Sequence, residues 1–131
     1  MTVAPILTGV DLVDVVRLRV MVDESGPEFL HLGWSVDELE YCQDDTARLA
    51  ARWAAKEATM KALGRGIGQL SPLEIEVRND ELGAPALLLS GGALERAEEL
   101  NVYYWSLALS HEGGFAVAFV VAMAGGKNVE G

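Results

Sequence analysis

Four places in this 131-residue chain carry side chains whose type and spacing suit chemistry. Asp11 lies between Val10 and Leu12 in an apolar run. A buried carboxylate there is expensive unless it has a partner, a cation or water. Glu57 and Lys61 stand one turn apart in a helical pattern. On a wheel of about 100° per residue, Leu49, Trp53 and Met60 form a bulky stripe, and Glu57 and Lys61 lie beside it among Ala50 and Ala54. Small residues on that arc would let another backbone come close to the carboxylate and the ammonium. The plain alternatives are an ordinary i,i+4 ion pair on a solvated face and, for Asp11, an exposed strand end. Should Asp11 and Glu57 converge, they make a partial Mg²⁺ site, because Mg²⁺ takes one or two carboxylates and completes its shell with water and substrate phosphate.

The third place is Gly64-Arg65-Gly66-Ile67-Gly68. It is not a dinucleotide fingerprint, whose glycines must follow a strand and open a helix. Beside Arg65, Lys61 and Arg52 it could still offer backbone N–H groups to phosphate, or it is simply a helix cap followed by a turn. The fourth is Ser110-His111. Neighbours on a strand point to opposite faces, so the two cannot form a nucleophile–base pair, and no G-x-S-x-G elbow accompanies them. His111 is then a surface histidine at a hairpin end or a phosphate ligand.

Composition narrows the field. Ten Lys+Arg against 20 Asp+Glu give a formal charge of −10 and a pI near 4.5, which argues against nucleic acid or an anionic membrane as partner. Half of the residues are hydrophobic and mean hydropathy is +0.20, enough for one well-buried core. The longest apolar run, Phe115 to Ala124, falls well short of the roughly 20 residues of a membrane helix, and no export signal opens the chain. Cys42 is the only cysteine, so the expected setting is the reducing cytoplasm, and with His31 and His111 it makes no zinc site.

The elements that must position these groups form an α+β domain spanning residues 1–131, a mainly antiparallel sheet packed with one long helix. A strand from Ile6 to Val16 is expected, running into a stretch that ends near Met21, with turn chemistry at Val22 to Pro27. A short helix follows from Val36 to Tyr41, with Ser35 and Glu38 at capping-box spacing. The long helix covers Thr46 to Leu63, capped by Asp44 and Asp45 and stopped at Gly64. Leu73 to Val77 and Ala86 to Leu89 read as strands flanking an Asn79–Pro85 turn, and Gly91-Gly92 leads into a helix from Ala93 to Leu100. Tyr103 to Leu109 and Phe115 to Met123 form a hairpin joined by Ser110 to Gly114, and residues 124–131 read as a flexible tail.

The chain resembles the holo-acyl-carrier-protein synthases, the small trimeric type of 4′-phosphopantetheinyl transferase. Gly9-Val10-Asp11-Leu12-Val13, Glu38 to Cys42, Arg52-Trp53-Ala54-Ala55-Lys56-Glu57-Ala58 with Lys61-Ala62-Leu63-Gly64, the Asn79–Pro85 turn and Ser106 to Val121 carry the likeness in order. It implies that Asp11 and Glu57 are Mg²⁺ ligands and that Lys61 contacts the coenzyme A pyrophosphate. It also implies that Arg52 and His111 lie near the 3′-phosphate, with Gly64, Arg65, Gly66, Pro85 and Ser110 completing the cofactor contacts. The implied reaction moves phosphopantetheine from coenzyme A to a serine of an apo acyl carrier protein, releasing 3′,5′-ADP, in a homotrimer whose sites lie between subunits. Either Glu57 or a metal-bound water would take the serine proton. Two features depart from the pattern. Asp23-Glu24 and Pro27-Glu28 stand where basic residues usually meet the acidic carrier, and Ala84 replaces the usual Lys or Arg before Pro85. They motivate the alternative of a weak or inactive relative that binds a nucleotide or partner.

Overall fold

The computed structural model of the protein describes residues 6–125. Three antiparallel strands form the main sheet in the order β1 (Ile6–Asp14), β5 (Phe115–Ala124), β4 (Val102–Glu112), and β2 (Ile75–Asn79) pairs with β3 (Pro85–Leu89) in a separate ribbon. Helix α4 (Thr46–Leu63) lies across the inner face of the main sheet, in contact with β1 and β5. Its limits follow from its sequence: the Asp45 side chain accepts from Arg48 N–H at one end, and Gly64 adopts the left-handed conformation at the other, with φ 69°.

Small residues let this helix settle close. Ala50, Ala54, Ala55 and Ala58 are fully buried on α4, and Ala116, Ala118 and Ala122 face them from β5. The tightest approach is at Gly9 on β1, where a Cβ would overlap the Ala58 carbonyl oxygen. Because that obstacle is backbone, Gly9→Ala must push β1 off the helix, and Asp11 with it. We expect a loss of about 3 kcal/mol, read as a lower denaturation midpoint. An unchanged midpoint would refute this packing account.

Several boundaries differ from expectation. β1 stops at Asp14, because the Asp14 carboxylate caps α1 (Val15–Ser25) by accepting from Arg17 N–H at 3.0 Å. The valines of α1 are poor helix formers, but burial of Leu18 and Val22 overrides that preference, so most of the expected Val22–Pro27 turn is helical. Only Gly26, at φ 82°, breaks the chain before Pro27 opens α2 (Pro27–Gly33), a helix the sequence reading lacked. Helix α3 (Val36–Cys42) carries the expected capping box. Pro72–Glu74 is a 3₁₀ turn, which leaves β2 to begin at Ile75, and α5 covers Gly91–Glu99. The β4–β5 connection shrinks to Gly113-Gly114, both at positive φ as a tight hairpin turn requires, so Ser110 and His111 belong to a strand. Ala124 closes β5, and residues 126–131, most of the expected tail, lie outside the described residues.

Alternation along the strands gives the sheet two unlike faces. Inward, Ala116, Ala118, Val120 and Ala122 are buried under α4. Outward, Ile6, Val10 and Leu12 of β1, Phe119 and Met123 of β5, and Tyr104 of β4 are each about half exposed or more, Leu12 at 62%. No helix of the described residues is long and apolar enough to cross a membrane.

Candidate active site

Asp11 and Glu57 do converge. They line one cavity of about 300 Å³ together with Leu12, Val13, Asp14, Arg17, Leu18, Met21 and Trp53. β1 supplies Asp11 on its inward face, α4 supplies Glu57, and the rim comes from α1. Lys61 is not in a simple pair with Glu57. Its ammonium donates to Asp11 Oδ1 at 3.0 Å and to the Val10 carbonyl at 2.9 Å, tying helix to strand at the acidic centre. The Glu57 carboxyl is held above its usual range, first by burial and then by the charge of Asp11, against lowering by a Trp53 hydrogen bond and by Lys61. Two carboxylates that repel one another in a half-buried cleft are hard oxygen donors suited to a divalent cation. Among the described residues, no group of three or more His, Cys, Asp or Glu gathers as a metal cluster. Mg²⁺ needs only one or two carboxylates, and this donor set fits it.

A second cavity, of about 490 Å³, collects Arg52, Pro85, Ser110 and His111 with Tyr41, Arg48, Asn79, Leu107 and Leu109. Arg52 is 4% exposed. Its Nη2 donates to Asn79 Oδ1 at 2.7 Å, its guanidinium stacks 4.2 Å over the Tyr41 ring, and among the described residues its buried Nε has no hydrogen-bond partner. The Arg48 guanidinium lies 5.2 Å from the centroid of the same Tyr41 ring. Two guanidiniums lining one cavity suit it to an anion in an otherwise acidic protein. Arg48, Tyr41 and Asn79 were missed in the sequence. The i,i+4 spacing of Arg48 and Arg52 was the available signal, since like charges one turn apart repel unless an anion sits between them.

The two cavities belong to opposite sides of the chain. Glu57 is five residues after Arg52 and Lys61 nine, so they project about 140° and 180° away from it around α4. Their sheet partners agree, because Asp11 and His111 sit on the two edge strands with β5 between them. Gly64, Arg65 and Gly66 go with neither cavity's lining. They follow the end of α4, and the helix between Arg52 and Gly64 separates them by about 18 Å. That distance corrects the reading that placed Arg52 beside the glycine loop. The Arg65 side chain donates to the neighbouring Gly64 carbonyl.

Residues 8–120 match the model of the 4′-phosphopantetheinyl transferase superfamily. The chain is 46% identical to the holo-[acyl-carrier-protein] synthase of Herpetosiphon aurantiacus over 125 residues, 90% of this chain and 98% of that one. Among solved structures it is similar to the Helicobacter pylori holo-[acyl-carrier-protein] synthase in complex with coenzyme A. That likeness has TM-score 0.80 and 34% identity, covering 88% of this chain and 99% of the other. It is also similar to a Chronobacterium ammoniagenes complex with coenzyme A, at TM-score 0.81 and 30% identity over 91% and 97% of the two chains.

Proposed function

The chain belongs to the 4′-phosphopantetheinyl transferase superfamily, among its holo-[acyl-carrier-protein] synthases, and from that premise we propose how its two cavities share the work. The enzyme transfers 4′-phosphopantetheine from coenzyme A to a serine of an apo acyl carrier protein. The Arg52 cavity takes the nucleotide end of coenzyme A. Arg52, Arg48 and His111 face its 3′-phosphate, and Pro85, Leu107 and Leu109 offer apolar wall to the adenine. The Asp11–Glu57 cavity takes the diphosphate and the acceptor serine. The observation that carries this division is the two guanidiniums, Arg52 and Arg48, lining one cavity and the mutually repelling carboxylates in the other.

Asp11 and Glu57 would hold Mg²⁺. When bound, Mg²⁺ supplies positive charge to the diphosphate whose P–O bond must break. Lys61, fixed by Asp11 and the Val10 carbonyl, carries its ammonium to the leaving phosphate. Glu57 takes the proton from the serine Oγ as that oxygen bonds to the pantetheine-side phosphorus. The P–O bond to the nucleotide breaks with its electron pair on the departing 3′,5′-ADP.

Because one chain holds the two cavities on opposite sides, a working site needs two copies. The Asp11 side of one would face the Arg52 side of the next, with Gly64, Arg65 and Gly66 brought to coenzyme A across that contact. A contact between unlike surfaces makes a ring when the rotation between copies closes. The uncovered apolar outer face of the sheet offers area for such an assembly, which the resemblance implies is a homotrimer. The lone buried Cys42 suits a cytoplasmic setting.

Incubation with coenzyme A, Mg²⁺ and apo-carriers is expected to add the mass of one phosphopantetheine to a carrier serine and to release 3′,5′-ADP in equal amount. Nucleotide release without carrier modification would overturn the reading.

A further inference from the structure

Beneath the Arg52 cavity lies an ion pair that the transfer chemistry does not use. Lys56 and Glu38 are 1% and 0% exposed, and their charged atoms meet at 2.7 Å. The Lys56 ammonium spends its other two donors on the carbonyls of Ile75 at 2.6 Å and Pro72 at 2.9 Å. The Glu38 carboxylate also accepts from the Ser35 and Val77 N–H groups, each at 2.9 Å. Four backbone groups on α3, β2 and the 3₁₀ turn therefore depend on this one pair, and all three ammonium donors are used. Burial pushes the Lys56 ammonium below its ordinary range, and the Glu38 charge pushes back.

The elements it ties together are those that carry the cavity walls. Three residues beyond Glu38, α3 presents Tyr41 under the Arg52 guanidinium. Two residues beyond Val77, β2 presents Asn79, which accepts from Arg52 and donates to the Gly83 carbonyl of the turn leading to Pro85. Arg52 itself is one turn before Lys56 on α4. An apolar pair would fill the same space at no greater cost in stability, but it could not fix where β2 and α3 sit along α4, since apolar contact has no direction.

Resting on the assignment of the Arg52 cavity to the nucleotide, we propose that Lys56 and Glu38 are positioning residues. Their hydrogen bonds set Tyr41 and Asn79 so that Arg52 meets the nucleotide end of coenzyme A.

The test is titration with 3′,5′-ADP of the wild type, Glu38→Gln, Lys56→Met, Asn79→Ala and Glu38→Gln/Asn79→Ala, each confirmed folded by near-UV circular dichroism. Glu38→Gln keeps the shape and one accepting oxygen, so it decides the matter even if Lys56→Met does not fold. It is expected to weaken 3′,5′-ADP binding about tenfold and to raise the coenzyme A KM alike, with kcat and the carrier KM within about threefold of wild type. The double variant should bind no worse than the weaker single variant, since both remove the same Asn79 contact. A folded Glu38→Gln protein that binds 3′,5′-ADP like the wild type, or losses that add, would overturn the proposal. A wild type that does not bind 3′,5′-ADP would overturn the assignment of the cavity itself.

Discussion

Glu57→Gln is expected to cut transfer by about a thousandfold or more while making the apo-protein melt a few degrees higher at neutral pH. Both effects have one origin. The folded chain holds the Glu57 carboxyl above its unfolded value, chiefly through burial and then through Asp11. An acid with a raised folded-state pKa favours the fold fully at pH values below its unfolded pKa, near 4.5. That contribution is lost as pH rises through the folded value. At pH 7 the ionised group is therefore a net cost. Glutamine removes the charge, keeps the shape and retains an oxygen for the Trp53 hydrogen bond. Melting curves taken with a chelator should show the variant ahead at pH 7, with the gap narrowing as the pH falls and closing near pH 4.5. Adding Mg²⁺ should raise the wild type and leave the variant where it was, because binding to the folded state alone stabilises it. Asp11→Asn should share the loss of transfer without the gain in stability, since Asp11 has Lys61 as a partner at 3.0 Å. A Glu57→Gln protein that melts no higher at pH 7, or that retains a tenth of wild-type turnover, would refute the argument. The pairing of lost activity with gained stability is what a site built from uncompensated charge should show.

What could be read in the sequence was whatever is specified within one or two turns of chain. Helix α4 was legible to the residue, because Asp45, the alanine content and Gly64 are all local signals. The Ser35–Glu38 capping box was legible for the same reason, yet the box hid the larger role of Glu38. Its partner Lys56 lies 18 residues away on another helix, and nothing local marks a lysine that will end up 1% exposed. Helix α2 was missed because Gly26 and Pro27 punctuate the chain equally well as a turn or as a C-cap followed by an N1 proline. The extent of β4 was underestimated at its far end because Ser110, His111 and Glu112 are polar. They sit near the hairpin end, where a strand need not be apolar.

For the site, the types of its residues were legible, and so was the pairing of Asp11 with Glu57, but not the full set of residues around Arg52. Asp11 and Glu57 declared themselves as carboxylates in apolar surroundings, and they share a cavity. Arg52 was grouped with the glycine loop because the two are close in sequence, though the helix that joins them also holds them apart. Conversely Tyr41, Asn79 and His111, scattered over some seventy residues, form one wall. Closeness in the chain and closeness in space diverge most along a long straight helix, and this chain hangs both halves of its site on one.

That division yields the second large effect. Mixing two inactive variants should restore activity when each is defective in a different half. Glu57→Gln spoils the carboxylate side, and Arg52→Met spoils the anion side while keeping the apolar stem of the arginine in its packed place. Alone, each should turn over at about 1% of wild type or less when coenzyme A is kept well below saturation. If every site is built from one copy's carboxylate side and the next copy's anion side, equal amounts assembled together from the unfolded state pair two intact halves by chance. The intact carboxylate side comes from an Arg52→Met copy in half of the sites, and the intact anion side from a Glu57→Gln copy in half of those. About a quarter of the sites should then work, whatever the number of copies in the ring. Were each site confined to one chain, every site in the mixture would carry a defect, and activity could not exceed the mean of the two parents. The contrast between about 25% and about 1% needs no knowledge of the carrier's identity and no structure of the assembly. Mixing already assembled variants without unfolding should give no rescue until subunits exchange, so a rescue that grows over time would also report how firmly the copies hold one another.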